Sequence, residues 1–337
     1  MNETIRLPFS EMKDVFFRIL LQCGMAKEKA ETCAHIFAEN SLEGVYTHGV
    51  NRFPAFVNDI NNHFVLVDQE AELKHSVGAL EQWEGNLGPG ILNALTCTER
   101  AMNLANEHGI GCVGLANTNH WMRGGAYGWK AAKAGYAFIC WTNTIANLPA
   151  WRAVDCRLGN NPIIMGVPYQ QEAIVLDMAV SQYSNGKLNL YKMQNQQLPL
   201  PGGYDSNGEL TMNPAEILTT ERALPIGYWK GAGLSLLLDL LAVILSGGLS
   251  TREITGRKTE YGVSQIFIAF HLTKLPNYPT LSQTVNGIVN DLHQSIKIKG
   301  ADPILYPGER VLLTKDENRK HGIPVLKSVW DKILNMA

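Results

Sequence analysis

Apolar residues recur at helical spacing from the start of the chain. Met12, Val15, Phe16, Ile19, Leu20 and Cys23 fall on one helix face, with Ser10 as a cap and Gly24 as a stop. Ala26, Ala30, Cys33, Ala34 and Phe37 continue as a second helix ending near Gly44, and two helices so closely linked form an antiparallel hairpin. Ile91, Ala94, Leu95, Thr98, Ala101, Met102 and Ala105 mark a third helix, ended by Gly109 in the left-handed conformation that terminates helices. The run 110–116, "IGCVGLA", has strand length and reads as buried on both faces. A helix over 125–134 and a strand over 136–141 follow, with further strands at 172–179 and 264–272. Helices are expected at 227–248 and 281–298, and "KSVWDKILNMA" closes the chain. The excursion 195–214 holds three prolines and three glycines and reads as a lid or an irregular surface loop.

Gly109, Gly111 and Gly114 spell G-x-G-x-x-G, the spacing of a dinucleotide-binding turn. That turn needs strand, turn, helix, whereas the order here is helix, turn, strand. Gly109 is a helix stop, and Gly111 and Gly114 lie inside a strand, where glycine lets another backbone approach. The fingerprint is therefore rejected. The β-α-β order of 110–141 makes its two strands parallel, so their carboxyl ends share one sheet edge. Asn117, Asn119, His120, Asn143 and Thr144 come to that edge, where open α/β sheets bind ligands.

Composition narrows the class. A chain of 337 residues with 45% hydrophobic and 18% charged residues fits an enzyme-sized globular protein of two lobes. A formal net charge of -2 gives no general case for nucleic acid or membrane surfaces. The most apolar run, Leu234–Leu245, is interrupted by Asp239 and falls short of the roughly 20 residues that span a bilayer. It reads as a buried core helix. The N-terminal "MNETIRLPFSEMKD" lacks the apolar stretch of a signal peptide. The six cysteines are scattered without C-x-x-C, which fits reduced thiols in the cytoplasm.

Several stretches carry candidate chemistry. With Thr47 as an N-cap, His48 falls in the first turn of a new helix, with Arg52 on the same face. A guanidinium grips a carboxylate through two hydrogen bonds, and an imidazole passes a proton. The alternative is that His48 caps and packs. His120 sits at a strand end, as a site residue or a hydrogen-bonded structural histidine. "YWKGAG" begins a helix with Lys230, which suits pyrophosphate, or else tight helix packing through Gly231 and Gly233. "YPGER" and "GNNP" read locally as turns. The histidines include no H-E-x-x-H or H-x-H, so no metal site is signalled.

Side by side, "THGVNRFP", "ANTNHWMRGGAYGWKAAKAGY", "CWTNT", "GNNP" and "LPIGYWKGAGLSLLLDLLAVILSGG" resemble the malate/L-lactate dehydrogenase type 2 family across nearly the whole chain. The resemblance implies a non-Rossmann α/β dehydrogenase fold. It has a mixed-sheet core over 71–299 and a helical domain built from 1–70 with 300–337. It implies a homodimer that reduces a small 2-keto acid with NADH, or with NADPH, and binds neither nucleic acid nor membrane. By the resemblance, His48 matches the proton donor, and Arg52, His120 and Thr144 match positions around the substrate. Ala173, Ile174, Val175, Leu176, Asp177, Met178 and Ala179 match a cofactor-binding segment, with the register open by one residue. Trp229 with Lys230, and Gly308, Glu309 and Arg310, match two further cofactor contacts. One departure stands out: many relatives read G-T-N-P where this chain has Asn160. The competing readings are a sister enzyme of the family (a malate, lactate, ureidoglycolate or cyclic-imine reductase) and a silent nucleotide-binding sensor. The sensor would need neither His48 nor Arg52.

Overall fold

The computed structural model describes residues 3–336. The chain begins with β1 (Thr4–Leu7), α1 (Phe9–Gln22), α2 (Lys27–Leu42) and α3 (Phe53–Asn61). α1 starts directly after Pro8, so Ser10 is not its cap but lies within the first turn. Its buried face is the expected one: Met12, Val15, Phe16, Ile19 and Leu20. Phe16 stacks on Phe53 of α3 at 4.1 Å between ring centroids and meets Phe37 of α2 edge-on. Burying each such ring contributes about 1.5–3 kcal/mol.

The expected helix start at Thr47 is not formed. Residues 46–48 make a single 3-10 turn, and α3 begins only at Phe53, with Pro54 in its first turn. The chain leaving α2 is instead folded back on it: Val50 N donates to Ser41 Oγ at 2.8 Å. A proline that lacks an N–H fits best at the position where no helical bond is required.

Next come β2 (Glu72–Val77), β3 (Leu80–Glu84), α4 (Gly90–His108), β4 (Ile110–Thr118), α5 (Gly125–Lys133) and β5 (Tyr136–Thr142). Short β6 (Leu148–Pro149) and β7 (Cys156–Leu158) precede β8 (Ile163–Tyr169) and β9 (Glu172–Met178). Then follow α6 (Asn185–Met193), β10 (Gly203–Tyr204), β11 (Leu210–Thr211), α7 (Pro214–Thr220), α8 (Trp229–Ser246), α9 (Thr251–Gly256) and β12 (Val263–His271). The chain ends in α10 (Tyr278–His293), α11 (Glu309–His321), β13 (Ile323–Leu326) and α12 (Lys327–Leu334). β13 pairs antiparallel with β1, tying the two ends of the chain together.

Seven strands form one mixed sheet in the order β2-β3-β4-β12-β5-β8-β9. Only β3 and β4 pair in parallel. β4 and β5 run in the same direction, as the β-α-β order requires, but β12 lies between them, antiparallel to both. Its alternation serves two cores. Phe267 and Ala269 pack under α4 and α5 with Trp121 and Tyr127, whereas Ile266 faces Leu238 and Ala242 of α8.

The glycines of the rejected fingerprint behave as strand and cap residues. Gly109 caps α4 with a left-handed φ of 88°. A Cβ on Gly111 would lie 2.7 Å from the Ala105 nitrogen of α4 and closer still to the Ala101 carbonyl oxygen. One on Gly114 would lie 2.7 Å from the Leu245 carbonyl carbon of α8. The two glycines let helices approach the sheet from opposite sides.

Three other expectations change. The 195–214 excursion is no featureless loop: it carries the β10–β11 hairpin and packs, with α6 and α7, around Tyr183, Leu188, Leu198 and Ile217. The helix expected over 281–298 starts earlier, with Pro279 in its first turn, and ends at His293. Beyond it, Ile296 and Ile298 are solvent-exposed. α8 is not the buried core helix its composition suggests. Ser235, Leu238 and Ala242 face the sheet, but Leu234, Leu236, Leu237, Leu240, Leu241 and Ile244 are 37–67% exposed. The sheet offers α8 one side only, so a helix apolar all round keeps a free apolar face.

Candidate active site

A cleft of about 690 Å³ opens where the helical layer meets the ends of β4, β5 and β9. His48, Arg52, His120, Thr144, Val175, Leu176, Asp177, Ala179 and Gly308 all line it. Residues far apart in sequence are thus brought together. Ala173, Ile174 and Met178 share β9 but do not line the cleft. Trp229 and Lys230 stand exposed at the start of α8, also outside its lining. Glu309 and Arg310 open α11 beside the cleft. Glu309 accepts from the Tyr306 backbone at 2.9 Å and contacts His293, and Arg310 faces Asp302 at 3.4 Å.

His48 ends the 3-10 turn that packing against α2 creates. Asn40 Nδ2 donates to its carbonyl at 3.0 Å, and Thr47 Oγ1 lies 3.1 Å from its Nδ1, which leaves Nε2 for the cleft. Burial pushes the imidazole below its ordinary pKa of 6.5; the Asp177 carboxylate opposes this, and Arg52 and Arg123 add to it. His120 follows β4. Its Nδ1 accepts the Met122 N–H at 3.0 Å, so the neutral ring carries its proton on Nε2. Burial, then Arg52 and His48, hold its pKa well below 6.5.

Arg52 sits at the N-cap of α3, and its buried Nε has no partner. A buried donor without a partner is costly unless a ligand meets it. Deeper in the cleft, Arg123 is 3% exposed, ion-paired with Glu43 and 3.6 Å from Asp177 through Nε. Against the raising effect of burial, Arg123 and Lys315 hold Glu43 below the usual carboxylate range. Asp177 accepts the Gly125 N–H at 2.9 Å, which fixes β9 against the start of α5. Val175 N donates to Pro307 O at 3.0 Å, which seats the Gly308 turn on β9.

Hydrogen bonds within the scaffold hold several of the residues brought to the edge. Asn119 Nδ2 donates to the carbonyls of Phe64, Leu87 and Gly88. Asn143 bonds Asp239, Leu249 and Ser264. The Thr144 hydroxyl is shared among Ile145 O, Asn160 Oδ1 and Asn161 Oδ1 at 3.1–3.3 Å. Sequence reasoning missed Arg123, Asn147 and Glu260, all of which line the cleft. Arg123 stands near His120 inside "ANTNHWMRGGAYGWKAAKAGY", a stretch that carries the family resemblance. Glu260 opens "EYGVSQIFIA", a stretch that shares the family resemblance, whereas Asn147 lies in an irregular connection with no periodic or motif signal.

The residues fit a dinucleotide beside a small acid. Ser184, Asn185 and Gly186 bring the first turn of α6 to the cleft, with Ser184 capping Lys187 N and earlier N–H groups left free for phosphate. Among the described residues no group of three or more His, Cys, Asp or Glu is placed to hold a metal.

The sequence matches the malate/L-lactate dehydrogenase family over residues 7–334. A 2,3-diketo-L-gulonate reductase of Salmonella paratyphi A is 43% identical over 330 residues, covering 98% of this chain and 99% of that protein. Among solved structures, malate dehydrogenase from Entamoeba histolytica superposes with a TM-score of 0.93 at 22% identity, covering 99% of this chain and 97% of that one, which shows the fold. Malate dehydrogenase from Pyrococcus horikoshii OT3 gives 0.90 at 26% identity, covering 99% and 95%. The chain belongs to the malate/L-lactate dehydrogenase family.

Proposed function

We propose that the chain, an oxidoreductase of that family, reduces 2,3-diketo-L-gulonate to 3-dehydro-L-gulonate with a nicotinamide cofactor, NADH and, as a second choice, NADPH. The observation that carries this reading is the pairing of a half-buried imidazole, His48, with an unpartnered Arg52 guanidinium nitrogen in one cleft. The 43% identity to reductases of that name supports the substrate.

The nicotinamide, when bound, supplies the hydride. The rest falls to the chain. Arg52 holds the substrate carboxylate and so orients the ketone. Protonated His48 donates from Nε2 to the ketone oxygen as negative charge develops there. His120, neutral, donates a hydrogen bond from its own Nε2. Asp177 stabilises the imidazolium form of His48. Segment 173–179 and the turn at Gly308, Glu309 and Arg310 hold the cofactor, with Trp229 and Lys230 as a second contact.

We read the exposed face of α8 as the contact of a homodimer. α8 is the one helix among the described residues long and apolar enough to cross a membrane by length and composition. Asp239 at its centre, however, accepts from Asn143 Nδ2 at 2.8 Å and Thr251 N at 2.9 Å, and so belongs to this fold. A second copy offers the same leucine stripe, which is self-complementary. Six unpaired thiols support a reducing compartment, the cytoplasm.

The test is kcat/KM with NADH and with NADPH for a panel: 2,3-diketo-L-gulonate, oxaloacetate, pyruvate, oxidised ureidoglycolate and a cyclic imine acid. Highest turnover on 2,3-diketo-L-gulonate is expected. Preference for another member assigns the chain to a sister activity.

A further inference from the structure

The carbonyl and carboxylate of a keto acid leave part of the cleft unused. Glu260, just ahead of β12, accepts the Ile145 N–H at 3.0 Å through Oε2, and its other oxygen has no hydrogen-bond partner among the described residues. Asn160 Oδ1 accepts from Thr144 Oγ1 at 3.1 Å and from Asn147 Nδ2 at 3.0 Å. That commits the two amides to each other. It leaves the Asn147 Oδ1 buried without a partner and the Asn160 amide nitrogen free to donate. The three side chains are joined through Thr144 and Ile145, and all of them line the cleft. Asn160 is also the position where the family resemblance leads one to expect threonine.

An alkyl 2-keto acid offers nothing to these atoms. A hydroxyl both donates and accepts, so a chain of hydroxyls meets two acceptor oxygens and an amide donor together. We propose that Glu260, Asn147 and Asn160 form a subsite for hydroxyl groups on the substrate chain beyond the reacting carbonyl, so that the cleft selects polyhydroxylated 2-keto acids over alkyl ones. Glu260 and Arg52 line the same cleft, so the subsite shares the cavity of the carboxylate-binding guanidinium. Burial pushes the Glu260 carboxyl up from its ordinary range, against the pull of the Ile145 N–H and Arg52. A site built to hydrogen-bond substrate hydroxyls discriminates strongly against analogues that lack them.

The subsite rests on the reading that this cleft reduces a keto acid, and the experiment separates the two. Glu260→Gln keeps the Ile145 bond and turns the free acceptor into a donor; Asn147→Leu removes the buried oxygen. For each variant, kcat/KM is measured with 2,3-diketo-L-gulonate and with 2-oxobutyrate. The ratio of the two should fall about tenfold, carried by KM, as expected for a lost hydrogen bond to a charged or buried group. A parallel fall on both substrates means that Glu260 only braces the loop and Arg52, and overturns the subsite. A second measurement needs no turnover: thermal melting with L-gulonate or hexanoate. L-Gulonate should stabilise the wild type more, and Glu260→Gln should lose the excess. Equal stabilisation by the two acids overturns the subsite. A variant-sensitive excess without keto-acid reduction sustains the subsite and overturns the reductase reading.

Discussion

The rings of His48 and His120 lie stacked, their centroids 5.8 Å apart and their planes 14° from parallel. Two half-buried imidazoles at this spacing do not both carry charge. The Met122 N–H fixes His120 as the neutral Nε2–H tautomer, whereas the Asp177 carboxylate favours the charged form of His48. Of the two histidines, the pair thus leaves His48 as the proposed proton donor and His120 as a hydrogen-bond donor.

Replacement of His48 should show this directly. His48→Gln should lower kcat by about 10²–10⁴-fold, the usual worth of a general acid. NADH affinity, measured by fluorescence titration, should change little. A folded His48→Gln enzyme with near-normal kcat would transfer the proton to His120.

The pH profile follows from the same electrostatics. Reduction needs the imidazolium, so activity is full below the pKa of His48 and is lost as pH rises through it. Burial lowers that pKa below 6.5, Asp177 opposes the shift, and Arg52 and Arg123 reinforce it. The alkaline fall of kcat/KM for the keto acid, at saturating cofactor, should therefore lie below pH 6.5. Asp177→Asn removes the opposing charge and should move the fall to still lower pH. A shift the other way would remove Asp177 from this role.

Gly111→Ala tests the opening of α4 onto the sheet. The added methyl group meets backbone atoms of Ala101 and Ala105, which do not move aside as a flexible side chain would. Stability should fall by about 1–3 kcal/mol, the cost of overpacking, seen in a thermal melt. The folded protein should still bind NADH normally. A normal melt with lost NADH affinity would restore the dinucleotide fingerprint that the element order rejects.

The free face of α8 predicts an oligomer. Leu237 and Leu240 are 50% and 46% exposed and three residues apart, hence on one face. Light scattering after size exclusion should give a dimer for the wild type and a monomer for the double variant Leu237→Glu, Leu240→Glu. A monomeric wild type would leave the stripe without its proposed partner.

Periodicity carried much of the local structure by itself. The faces of α1 and α4, the Gly109 stop and the strands 110–116, 136–141 and 172–179 were legible because side-chain spacing repeats with the backbone. The rejection of the glycine motif followed from element order alone. His48 and Arg52 were legible as candidates because an imidazole beside a guanidinium is the pairing that passes a proton and grips a carboxylate, and His120 because it stands at a strand end on the predicted edge. Tertiary structure decided what spacing does not encode. β12 enters between β4 and β5 from far along the chain, since strand pairing is a long-range choice. Val50 bonding back to Ser41 turned an expected helix start into a 3-10 turn. α8 reads as core by composition, yet only packing shows that its sheet covers one side. Thr144, Asn119 and Asn143 reach the predicted edge, but hydrogen bonding commits their polar atoms to the scaffold. Arg123 and Glu260 stand inside stretches that carry the family resemblance and Asn147 stands in none; only folding places all three in the cleft with His48, because proximity in space, unlike periodicity, is not encoded in local spacing.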